Sequence, residues 1–153
     1  MRKPRYDINI ENFLPHRPPM LMKCNTPYLD GEAVETHFEI TEDCIFTNKK
    51  GYLSEPGLIE LAAQSCSAIT GQDFFEDNDF EGLGNKVVGY ISAIKKIELF
   101  QLPKIGETLI TKANLISKYD TGTMVMCTIE SSTFRNDDLI VACTFNFLIH
   151  EIE

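Results

Sequence analysis

Residues 51–71 read GYLSEPGLIELAAQSCSAITG and set one carboxylate, Glu60, near the start of the most apolar helix in the chain. Its neighbours include Leu58, Ile59, Leu61, Ala62, Ala63 and Ile69. Gln64 follows one turn later and so shares its side of the helix. An acid kept among apolar side chains is a candidate for moving a proton near neutral pH. On periodicity alone, Glu60, Gln64, Ser67 and Gly71 could equally be the wet stripe of an amphipathic helix. The three histidines, His16, His37 and His150, are scattered. Neither they nor the acidic run EDNDFE have regular metal-ligand spacing, so no metal site is expected, and no cofactor either.

The 153 residues suffice for one domain with a sizeable core, taken as residues 1–153. An apolar fraction of 43% marks a globular chain. A net charge of −9 without a basic face argues against nucleic acid. Five scattered cysteines without CxxC spacing read as reduced thiols, which suits the cytoplasm. The basic start MRKPRYDINIENF leads into no long apolar stretch, and no run is apolar enough to enter a membrane.

The elements that must position Glu60 follow from punctuation and period. INIENFL at 8–14 suggests a short helix ending before Pro15, and the prolines of LPHRPPM impose a turn. Residues 20–28 read as extended, and Asp30-Gly31 turns into a strand over Ala33–Ile40. A loop spans 42–56. The helix starts at Glu55 or Pro56, with proline in its first turn, and stops at Gly71. An acidic, mobile connection is expected over 72–85, and strands thereafter. The last strand, LIVACTFNFLIHE, sets Leu139, Val141, Cys143, Phe145, Phe147 and Ile149 on one face at period two. One long apolar helix therefore falls among antiparallel strands joined as a meander, whose one face needs covering. A curved antiparallel sheet wrapped round that helix solves both problems: an α+β hotdog fold. The helix's polar side and a bare sheet edge then call for a dimer.

Three stretches carry a resemblance over about residues 8–150. FLPHRPPMLM at 13–22 resembles the entry segment of the 3-hydroxyacyl-ACP dehydratases of type II fatty-acid synthesis. GLIELAAQSCSA resembles their central helix, and GYISAIKKIELFQLPKIGETL at 89–109 the strand and turn after it. The chain looks closer still to the dehydratase-like proteins of aryl-polyene and flexirubin-type pigment pathways. The resemblance implies an acyl thioester as substrate, on an acyl carrier protein or coenzyme A, and a homodimer or a heterodimer with another hotdog subunit. In that family a loop histidine and a helix acid meet across the dimer interface to remove water from a 3-hydroxyacyl thioester. The reaction needs a base at the α-carbon, donors for the enolate oxygen and a proton for the departing hydroxyl. By position Glu60 corresponds to the helix acid and Gln64 to a supporting glutamine. The helix N-terminus suits the enolate, giving the backbone N–H of Gly57, or that of Leu58, to the thioester oxygen.

The chain departs from the family at its base. The loop TEDCIFTNKKGYLSEPG contains no histidine. His16 lies in the entry segment, outside the family's catalytic pair, so Tyr52, Glu55, a lysine or a partner subunit is left to supply the base. Lys49, Lys50, Lys95 and Lys96 are candidates for guiding an acidic carrier, against their ordinary role as solvated surface. Two other functions stay open. One is a hotdog thioesterase that activates water with the helix glutamate. The other is a non-catalytic acyl-binding or scaffolding partner of an active dehydratase.

Overall fold

The computed structural model describes residues 3–72, 78–79, 81, 83–84 and 87–151. The connection expected to be mobile lies largely outside them. The described elements run β1 (Arg5–Asn9), a 3-10 turn (Ile10–Asn12), β2 (Asn25–Leu29), β3 (Ala33–Glu39) and α1 (Glu55–Gly71). After the helix come β4 (Val87–Leu99), β5 (Thr108–Asp120), β6 (Met124–Arg135) and β7 (Asp138–Glu151). The strands form a seven-stranded sheet in the order β1-β2-β3-β5-β6-β7-β4, with every neighbouring pair antiparallel.

The helix forms where expected because its ends are specified chemically. Ser54 caps it with its hydroxyl, and Pro56 lies in the first turn. Twelve of its seventeen residues are buried, so it is enclosed rather than laid on a flat surface. It packs against β3, β4, β5, β6 and β7 together. Bulges in the β2–β3, β4–β7, β5–β6 and β6–β7 pairings bend the sheet. Inward-facing Val34, Phe38, Ile129, Phe145 and Ile149 alternate with outward polar residues, and with Leu58, Leu61 and Ile69 they make the core.

Three details differ from the sequence reading. The segment expected as a helix at 8–14 is the end of β1 and a single 3-10 turn, because pairing with β2 satisfies its backbone where one helical turn could not. The strands after the helix are not one meander. β5, β6 and β7 follow in order, but β4 crosses to the far edge beside β7. The β4–β5 connection is held on the way by Phe100 N–H to Ile140 O and by Leu53 N–H to Pro103 O. Finally, a register shift near the start of β7 buries Ile140 and leaves Leu139 only half-buried.

Candidate active site

Glu60 sits one turn into α1, half-buried, with its side chain 26% exposed. Its Oε1 accepts a hydrogen bond from Gln64 Nε2 at 2.9 Å. Gln64 is itself buried and fully employed. Its Nε2 also donates to Met20 O at 2.9 Å, and its Oε1 accepts from Met22 N–H at 2.8 Å. One amide therefore ties the proline-bounded entry segment to the helix and orients the acid.

That segment brings in a residue the sequence reading set aside. His16 Nε2 lies 3.6 Å from Glu60 Oε1. Phe13 and Leu14, both 1% exposed, anchor the turn from below. Arg17 holds it from within, its Nη1 donating to Leu14 O at 2.9 Å and to His16 O at 2.7 Å. Burial pushes the His16 imidazole below its ordinary value of 6.5; Glu60 opposes that shift and Arg17 adds to it. The ring is thus neutral at pH 7. Its Nδ1 is buried and has no hydrogen-bond partner among the described residues.

The other histidines cannot join this pair. His37 points from β3 to the outer face, 2.9 Å from Glu35, and His150 stacks on Tyr90, also across the sheet from the helix. Tyr52 stands apart as well. Its backbone bridges Lys104, whose ammonium lies 5.4 Å from the centre of its ring. Glu55 is exposed in the first helical turn. The Gly57 N–H is already engaged, donating to Ser54 Oγ at 3.3 Å, and Leu58 N–H donates to Ser54 O at 3.0 Å. A Cβ at residue 57 would stand 2.6 Å from Phe46 Cβ and 2.8 Å from Leu53 Cδ1. Glycine is required there by close packing of the loop on the helix.

The sequence held one signal for His16, its place in a motif that accompanies the helix motif. Forty-four residues of separation hid the distance. Among the described residues no cluster of His, Cys, Asp or Glu is arranged to hold a metal.

A helix enclosed by a bent antiparallel sheet, with an acid in its second turn, defines a hotdog protein, and solved structures of that class superpose well. The dehydratase heterocomplex ApeI:P from Xenorhabdus doucetiae matches at 16% identity and a TM-score of 0.72, covering 97% of this chain and 93% of that one. A hypothetical thioesterase with coenzyme A from Streptococcus pneumoniae TIGR4 matches at 13% identity and a TM-score of 0.61, over 84% of this chain and 87% of that one. The E. coli PaaI protein from the phenylacetic acid degradation operon matches at 14% identity and 0.55, over 84% and 82%. At these identities the likeness establishes the fold. No curated protein matches significantly. The profile of the ApeP-like dehydratases, described as ApeP dehydratase, matches residues 8–147, and the chain belongs to that family.

Proposed function

We propose that the chain dehydrates 3-hydroxyacyl thioesters to 2-enoyl thioesters, with His16 and Glu60 as its proton-transfer pair. The observation that carries this reading is the 3.6 Å approach of His16 Nε2 to Glu60 Oε1 within one chain of a dehydratase family. The working form of the pair carries one proton on Glu60, bound from water, whereas the resting Glu60 is the carboxylate that acts on His16. Neutral His16 takes the α-proton while Glu60 gives its proton to the departing hydroxyl. The α C–H and β C–O bonds break, a C=C bond forms and water leaves. The proton then on His16 returns across the short gap to Glu60, and the pair is restored. Gln64 keeps the carboxyl in place. This scheme leaves the Gly57 N–H with Ser54.

The same carboxylate could instead direct water at the thioester, and the match to a coenzyme A-bound thioesterase keeps hydrolysis as the second reading. An acidic carrier protein is the favoured thioester donor. Exposed Lys49, Lys50 and Lys104 stand on the loops around the helix start, where such a carrier would approach. A second hotdog subunit, identical or different, completes the site, and the five free cysteines suit work in the cytoplasm.

The test incubates 3-hydroxyacyl thioesters with the protein, alone and with candidate hotdog partners, and follows enoyl absorbance and free thiol together. Glu60→Gln and His16→Gln should each lower enoyl formation about a hundredfold or more while circular dichroism is unchanged. Release of thiol without enoyl would move the assignment to the thioesterase. A fully active Glu60→Gln protein would end the catalytic reading in favour of a scaffold.

A further inference from the structure

His16 forms one wall of a narrow crevice that continues past Leu14, Ser67 and Gly71 to Gly89 and Ile149. Glu60, Gln64, Ser67 and Gly71 lie along one side of α1, a stripe of roughly 16 Å at the helical rise. Gly89 faces the same side of the sheet, because it pairs with buried Ile149. Half-buried Ser67 and exposed Gly89 mark the side on which the crevice opens.

The fold of this chain does not explain a glycine at position 89. Its φ is not among the positive ones, so no turn demands it. Among the described residues an added Cβ would meet Ile149 Cγ1 at 3.5 Å and Leu148 O at 3.9 Å, ordinary contact distances. Glycine inside a strand weakens it, and its usual reasons are a bulge or a ligand or backbone that comes close. The bulges of β4 lie further on, between Ile91 and Ala93 and between Ile94 and Lys96. The crevice holds only about 20 Å³, so whatever stands at residue 89 takes a large share of it.

We propose that Gly89 sets the length of acyl chain that the site accepts. The chain leaves the His16–Glu60 pair, follows the helix past Ser67 and Gly71, and crosses the bare backbone of Gly89. This inference rests on the reading of the pair as an acyl-thioester site. A short acyl group ends before Gly89, whereas a long one must pass it. Gly89 is thus a specificity residue rather than a catalytic one.

The experiment compares kcat/KM for 3-hydroxydodecanoyl and 3-hydroxybutyryl thioesters in the wild type, Gly89→Ala and Gly89→Val, each with any partner needed for activity. Valine should lower the long-to-short ratio by about tenfold or more, the scale on which apolar pockets discriminate, mainly through KM. Alanine should fall between. The thermal midpoint should hold or rise, since a β-branched residue suits a strand. An unchanged ratio, with or without a loss of assembly, overturns the inference and leaves the dehydratase reading intact. If the wild type turns over neither thioester, that reading fails, and calorimetry with dodecanoyl- and butyryl-coenzyme A decides the inference instead. Selective loss of dodecanoyl binding in Gly89→Val upholds it, and equal binding overturns it.

Discussion

His16 is held neutral by burial, and Glu60 is the group beside it that works in the opposite direction. Removing that charge has a definite sign. In Glu60→Gln the imidazole should titrate lower than in the wild type, and the wild type itself below 6.5, both read by proton NMR. An upward or absent shift in the variant would mean that the two groups do not interact. Because the folded value lies below the unfolded one, the unfolded chain binds more protons near pH 6. The stability this site contributes is therefore complete above 6.5 and lost as pH falls toward the folded value. At this scale the sequence singled out half of the proposed pair. Glu60 stood out because a charge in an apolar run is anomalous wherever the helix goes. His16 did not, because a histidine among prolines is ordinary, and only the folded turn shows that it reaches the helix.

The proline-bounded segment and α1 behave as one unit because Gln64 joins them. Replacing it with leucine keeps the volume but leaves the buried Met22 N–H, and the carbonyl of exposed Met20, without their partner. Gln64→Leu should cost about 2–3 kcal/mol in chemical denaturation, the cost of stranding buried polar groups. Enoyl formation should fall as well, because the turn carrying His16 loses its tether. Wild-type stability would show that Gln64 joins nothing. Element bounds were largely legible: the proline in its first turn marks the helix start, and Gly106, Gly122 and Asn136, all at positive φ, sit at the turns between strands. The position of β4 was not legible. Period-two alternation says that a strand has two faces and nothing about which neighbours it will have.

That position governs the whole molecule. At the edge of the sheet, β4 turns Ile91, Ile94, Ile97 and Leu99 to the helix side, and each remains between 40% and 46% exposed. An edge strand with an apolar row is a surface that pairs. The protein should therefore run as a complex of two hotdog chains in gel filtration at micromolar concentration, alone or with its proper partner. Ile94→Glu and Ile97→Glu should each shift it to a single chain. A wild-type chain that stays single even with candidate partners would contradict the assignment of this edge.

Both members of the proposed pair ride on the same polypeptide, forty-four positions apart, with Gln64 of that polypeptide hydrogen-bonded to Glu60. The number of sites in an assembly is then set by the copies of this chain and not by the number of interfaces. A companion subunit could lose every proton-handling residue and still serve, provided it shields the helix stripe and the edge of β4. Such a division of labour leaves the companion's sequence free to diverge, and a two-gene complex can keep one gene for chemistry and the other for enclosure.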